Sequence, residues 1–321
     1  MSSDSIEKAA QIINQHNEFG AVEQTRFSDK NILTTTDGLQ IEHKLFSASI
    51  SLYGGHVVSW QPKGQQPVFW MSKDSLFGNN KGIRGGIPIC LPWFGGFEAD
   101  LFQHNKNLDF THVDKALLAN HGFARTSLWQ VEDIEITENT VKVVLSQQGE
   151  NRTPAWDIAY QLKQEIVFGE SFSQKLFIEN KSAKDVEYTG ALHSYFAVGD
   201  PQKTHVNELS QVNYFDKLSN TFDNFSTLEN CKGPIDRVYQ SNNVMNIVDN
   251  AWQRTLEVTS SDCHQWVLWN PGKETADSMD DIHSQGENEY VCLEAANTSP
   301  VIIPAHSTVS FAQSICIKEH G

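Results

Sequence analysis

The chain has 321 residues, 39% of them apolar and 20% charged, which suits a folded protein with a sizeable core rather than a disordered one. With 24 basic against 40 acidic residues the net charge is −16, which excludes nucleic acid as an expected partner, because phosphate neutralisation needs a basic face. No run approaches the roughly 18 to 20 consecutive apolar residues of a membrane span. The opening Met1-Ser-Ser-Asp-Ser-Ile-Glu-Lys also lacks the basic start and apolar run of a secretion signal, so the expected location is the cytoplasm.

Residues 4–17 read as a helix: Asp4 and Glu7 have capping-box spacing, and Ile6, Ala9, Ala10 and Ile13 keep one helical face. This predicts an N-terminal helical extension over residues 1–24, followed by a single domain over 25–321. Beyond the extension, period-2 alternation dominates. Ile50 and Leu52, then Val58 and Trp60, flank a Gly54-Gly55 bend, and Val141, Val143 and Leu145 alternate with polar neighbours. Tyr160, Leu162, Gln164, Ile166 and Phe168, then Phe172, Gln174, Leu176 and Ile178, lie on either side of Gly169-Glu170, the pattern of a hairpin. Further strand-like runs cover 256–258, 266–269, 290–293 and 309–317. Many strands, short turns and few helices predict an all-β fold, a large antiparallel sandwich.

The cysteines are odd in number and show no Cys-x-x-Cys spacing, so neither a disulfide framework nor a zinc site is expected. In runs such as Ile89-Cys90-Leu91 and Val291-Cys292-Leu293 they read as small buried hydrophobes. His104, His112 and His121 are too widely spaced for a zinc motif, and no Gly-x-Ser-x-Gly elbow or Gly-x-Gly-x-x-Gly fingerprint occurs. Neither metal nor organic cofactor is expected. The acidic run from Asp277 to Asp281 does not fit an EF-hand loop and reads as solvated surface.

Five segments could carry chemistry. Arg84 sits in Gly82-Ile-Arg84-Gly-Gly-Ile-Pro, where glycines let the backbone approach a ligand and the guanidinium offers a planar fork for phosphate or carboxylate. His121 and Arg125 sit in Asn120-His121-Gly-Phe-Ala-Arg125, and His193 in Leu192-His193-Ser-Tyr195-Phe196. Asp236 opens Asp236-Arg237-Val-Tyr239. Taken alone, the Arg84 segment reads equally well as a structural turn, and for His121 with Arg125, for His193 and for Asp236 the structural reading is the better one. Glu294 is the sharpest signal, because it interrupts the apolar run Tyr290-Val-Cys-Leu-Glu294-Ala-Ala and a carboxylate seldom enters such a run without a partner or a task.

In this order the segments resemble the aldose 1-epimerase (galactose mutarotase-like) family, and more closely its hexose-6-phosphate mutarotase branch. The resemblance rests on Arg-Gly-Gly-Ile-Pro with Pro-Trp-Phe-Gly, His-Gly-Phe-Ala-Arg, His-Ser-Tyr-Phe, Asp-Arg-Val-Tyr, Trp269-Asn270-Pro271 and Cys-Leu-Glu-Ala, spread over about residues 27–316. It implies a β-supersandwich of large antiparallel sheets. It also implies His193 as general acid and Glu294 as general base, with Asp236 and His121 holding sugar hydroxyls. Arg84 and Arg125 would bind a 6-phosphate and Trp269 would line the pocket. Asn120 departs from the glutamine expected before the histidine, and the 98–118 segment has no role that the family supplies. The implied activity is interconversion of the α and β anomers of glucose 6-phosphate, with a hexose 6-phosphate as the small-molecule partner and a monomer or weak homodimer as the assembly. Two other readings stay open: a 1-epimerase for a free hexose such as galactose, and a noncatalytic carbohydrate-binding module.

Overall fold

The computed structural model describes residues 13–30, 34–78, 80–98, 118–223 and 226–319. The first five strands, β1 (Gln15–His16), β2 (Gly20–Ser28), β3 (Thr35–His43), β4 (Phe46–Ser51) and β5 (His56–Pro62), pair in chain order as one antiparallel sheet. A short β6 (Ile89–Cys90) follows, then the hairpin series β7 (Gln130–Ile136), β8 (Val141–Glu150), β9 (Ala159–Phe168) and β10 (Ser171–Asn180). After these come β11 (Val186–Leu192), β12 (Tyr195–Ala197), β13 (Thr204–His205), β14 (Tyr214–Asp216), β15 (Thr221–Asp223) and β16 (Ile235–Tyr239). The chain continues through β17 (Met245–Asp249), β18 (Arg254–Ser261), β19 (Gln265–Asn270), the single-turn helix α1 (Gly272–Asp277), β20 (Tyr290–Ile303) and β21 (Thr308–Glu319).

These later strands sort into two eight-stranded sheets. One runs β13-β17-β18-β21-β10-β9-β8-β7; the other runs β15-β14-β16-β19-β20-β11-β6, with β12 also paired to β20. The hairpin expected at Gly169-Glu170 is present, with Phe168 opposite Phe172. Aromatic side chains join the layers. Trp60 of β5 lies 5.6 Å from Phe172 of β10, and Tyr188 of β11 stacks on Phe311 of β21 at 6.0 Å between ring centroids. Each such fully buried ring contributes on the order of 1.5–3 kcal/mol through removal of apolar surface from water.

Two expectations need correction. Most of the helix expected over 4–17 lies outside the described residues; Ile13 is helical, and the correction concerns the end of the span, where Gln15–His16 is strand paired with Val22 and Ala21 of β2. An open sheet edge offers those backbone groups partners that local helical spacing cannot outweigh. The acidic run is not wholly solvated: Asp277 and Asp280 are exposed, but the Asp281 side chain is only 18% exposed and pairs with Arg84. The 99–117 stretch, with His104 and His112, lies outside the described residues. Among the described residues no helix is long and apolar enough to cross a membrane.

Candidate active site

The period-2 geometry of β20 decides which side chains reach the site. Val291, Leu293 and Ala295 turn into the main core, so Cys292, Glu294 and Ala296 face the opposite side of the sheet. The same alternation puts Val267 and Trp269 of β19 on that side, with Val267 opposite Glu294 and Trp269 opposite Cys292. Asp236 of β16 lies opposite Trp269. Between β11 and β12 the chain kinks, with the Ser194 N–H bonded to the Leu192 carbonyl, and His193 turns to the same face. The result is a cleft of about 290 Å³, near the lower end for small-ligand sites and of monosaccharide size.

All seven residues singled out in the sequence, Arg84, His121, Arg125, His193, Asp236, Trp269 and Glu294, line this one cleft. At its floor His193 Nε2 lies 3.4 Å from Glu294 Oε1. Both side chains are buried, the glutamate to 1% exposure. Among the described residues, His193 Nδ1 and Glu294 Oε2 have no hydrogen-bond partner. Burial holds the His193 imidazole well below its usual range, and the charges of Arg84 and Arg125 push it further down. Burial also holds the Glu294 carboxyl well above its usual range; Asp236 adds to this and Lys217 opposes it. Burial thus opposes the charged form of both groups, moving the two transitions in opposite directions.

The imidazole is fixed by rings on three sides. Tyr195 lies parallel to it, while Trp269 and His121 meet it edge to face at 5.9 and 5.8 Å between centroids. His121 has its own constraint: its Nδ1 accepts the Gly95 N–H at 3.1 Å, which leaves the ring proton on Nε2. Burial and the nearby arginines keep this ring neutral, a hydrogen-bond donor without charge. The loop that carries it is tightly determined. His121 itself has φ +61°, and at Gly122, with φ +69°, a Cβ would come within 2.0 Å of the Leu91 carbonyl oxygen.

The two arginines form one wall. Arg84 donates to the Tyr195 hydroxyl at 2.8 Å and pairs with Asp281 at 3.1 Å, and these partners raise its pKa against the opposing effect of burial. Arg125, in the one-turn 3-10 helix Ala124–Thr126, donates to the Asn120 carbonyl at 2.7 Å and packs over Gly82, where a Cβ would lie 3.2 Å from its Cδ. His56, buried in the core, donates to the Gly85 carbonyl at 2.8 Å and so holds the turn that follows Arg84. Its pKa is lowered to about 3 by burial.

Sequence reasoning missed four participants. Lys217 lies 3.5 Å from Asp236 and 5.5 Å over the Phe94 ring, and both Lys217 and Phe94 line the cleft. Tyr195 and Asp281 anchor Arg84. Tyr195 stood inside a quoted motif and could have been flagged with His193; Lys217 in an ordinary loop and Asp281 in an acidic run carried no usable signal.

Large antiparallel sheets with a polar cleft on the outer face define a galactose mutarotase-like supersandwich. A crystal structure of a candidate mutarotase from Salmonella typhimurium matches it with a TM-score of 0.80, at 27% identity, covering 99% of this chain and 100% of that one. A galactose mutarotase-like protein from Clostridium acetobutylicum, 14% identical, shares the fold at a TM-score of 0.69, with 94% of this chain and 100% of that one covered. The aldose 1-epimerase family model matches residues 37–315. A protein from Escherichia coli K12, named as a candidate glucose-6-phosphate 1-epimerase, is 30% identical over 292 residues, 89% of this chain and 92% of that protein. The chain belongs to the aldose 1-epimerase family, and it is an isomerase.

Proposed function

We propose that the chain is a glucose-6-phosphate 1-epimerase, with His193 and Glu294 exchanging protons across the sugar ring and Arg84 and Arg125 holding the 6-phosphate. The observation that carries the reading is the 3.4 Å approach of His193 Nε2 to Glu294 Oε1 beneath a wall of two arginines in one cleft. The relatives named for glucose 6-phosphate support the substrate class. In the reactive form His193 carries a proton and Glu294 carries none, so the pair is an imidazolium and a carboxylate. The carboxylate takes the proton of the C1 hydroxyl, the imidazolium gives its proton to the ring oxygen, and the C1–O5 bond opens to the aldehyde. Rotation about C1–C2 presents the other carbonyl face, and the same two transfers in reverse close the ring. Each positioned group contributes typically ~10²–10⁴-fold.

The phosphate does more than position the sugar. After burial, Arg84 and Arg125 are the largest of the charges that depress His193, with Lys217 behind them. A dianion bound between them offsets both, so the imidazolium becomes easier to form once substrate is in place. Neutral His121 and the carboxylate of Asp236 are placed to donate to and accept from ring hydroxyls. The five free cysteines suit a reducing compartment, and we assign the enzyme to the cytoplasm.

The test follows the relaxation of freshly dissolved α-glucose 6-phosphate to its anomeric equilibrium, beside free glucose and galactose. Acceleration confined to the phosphate, and lost on Arg125→Met, is the expected result. Acceleration of free sugars instead would assign a free-hexose epimerase, and acceleration of none would leave a binding module.

A further inference from the structure

Four buried polar side chains of the main core form one continuous line. Ser194 Oγ donates to Gln313 Oε1 at 2.8 Å, Gln313 Nε2 to Gln174 Oε1 at 3.4 Å, Gln174 Nε2 to Gln164 Oε1 at 2.9 Å, and Gln164 Nε2 to the Gly55 carbonyl at 2.7 Å. The four side chains are 0–1% exposed and sit among Phe172, Leu176, Phe311 and Ile315, all fully buried. Every amide points its N–H toward Gly55 and its carbonyl toward Ser194, so the dipoles run head to tail and reinforce one another. The line crosses all three sheets: Gly55 in the turn between β4 and β5, the glutamines on β9, β10 and β21, and Ser194 between β11 and β12.

Both ends touch the site. Ser194 follows His193, and its carbonyl accepts the N–H of Leu293, the residue before Glu294, at 3.2 Å. Ser194 is thus tied by backbone to both members of the pair while its hydroxyl is fixed from the core side. At the other end, the Gly54 N–H donates to the Ser127 carbonyl at 2.7 Å, and a Cβ on Gly54 would lie 2.7 Å from the Arg125 carbonyl oxygen. Three buried amides cost desolvation that methionine or leucine at the same sites would avoid. Directional bonds do what apolar packing does not: they fix the sheets to one another at a set position.

We propose that Gln164, Gln174 and Gln313 are positioning residues for catalysis, a buried amide seam that sets the separation of His193 and Glu294 by locking Ser194 from behind. The proposal rests on the acid–base roles assigned above. Gln174→Met cuts the seam at its middle with little change of volume. Gln174→Glu keeps it, because a carboxyl at that depth stays protonated and its O–H replaces the lost donor. Ser194→Ala removes only the terminal hydroxyl.

For each variant, kcat and KM for anomerisation of α-glucose 6-phosphate are measured, together with the imidazole resonances of His193 in the free protein and the thermal midpoint. Gln174→Met is expected to lower kcat about tenfold with KM within about twofold, short of the ~100-fold that a 1 Å misplacement can cost. It should also move the His193 resonances, and Gln174→Glu should recover most of both. A folded Gln174→Met with wild-type kcat and unmoved resonances, its stability alone reduced, overturns the proposal. If Gln174→Met does not fold, Ser194→Ala decides on the same two readouts. A wild-type protein that accelerates no sugar would instead overturn the functional assignment, and the resonances would still judge the seam.

Discussion

The Tyr195 ring lies parallel to the His193 imidazole, 4.8 Å between centroids with 8° between planes. The same tyrosine ties that stack to the anion wall, because its hydroxyl accepts a bond from Arg84. Tyr195→Phe keeps the stack and frees the guanidinium. A hydrogen bond to a charged group of this kind contributes about 1.5 kcal/mol, so KM for glucose 6-phosphate should rise roughly tenfold with kcat little changed. An equal fall in kcat would mean that the hydroxyl acts on His193 rather than on Arg84.

Glu294→Gln removes the proton acceptor while keeping the shape of the side chain. It should lower kcat by at least ~100-fold and leave the thermal midpoint unchanged or raised, since a buried ionisable group is replaced by a neutral one. His193→Ala should cost a similar factor, and the double variant little more than either, because the two act as a unit. Costs that multiply would show that the residues act independently.

The pH profile follows from the opposed shifts. Below the depressed transition of His193 the pair gains a second proton and loses its base; above the raised transition of Glu294 it loses its acid. A plot of kcat/KM should be a bell with its acid limb below about 6.5, the ordinary imidazole value, and its alkaline limb well above about 4.3, the ordinary carboxyl value. Because Asp236 raises the Glu294 carboxyl, Asp236→Asn should move the alkaline limb to lower pH, and Lys217→Met should move it up. An alkaline limb fixed in both variants would assign it to another group.

His56 makes a stability prediction. Its folded pKa of about 3 lies below the unfolded value of about 6.5, so between these values the unfolded chain binds the extra proton. Stability from this residue is full above about pH 6.5 and is lost as the pH falls, by about 2 kcal/mol at pH 5. Urea unfolding from pH 7 to pH 4 checks the slope, which His56→Gln should reduce. The same slope in the variant would place the proton uptake elsewhere, with buried His121 or His193.

The hairpin at Gly169-Glu170 and the interruption at Glu294 were legible because each is a break in a period-2 pattern, a signal that survives without knowledge of neighbours. The quoted motifs named seven residues that do meet in one cleft, although they are drawn from positions 84 to 294. Lys217 and Asp281 were not legible, since their importance comes from what folds against them: Asp236 and Phe94 in one case, Arg84 in the other. Gln164 and Gln174 were seen to alternate with apolar residues, but a pattern cannot tell a glutamine facing water from one bonded to another across a core. The β1 strand was misread for a related reason, because an open edge on β2 is a tertiary fact.

β20 holds Glu294 and pairs on one side with β19 and on the other with both β11 and β12. It is also the next-to-last strand in the chain order. During synthesis, β11 is made long before the strand that joins it to β19, and both carry an open edge until that strand arrives. The cleft cannot close piecemeal, since His193 has no facing carboxylate before β20 is laid between its neighbours. Activity should thus appear abruptly in refolding, together with the docking of β20 between its neighbours, and a chain cut short before that strand should show none.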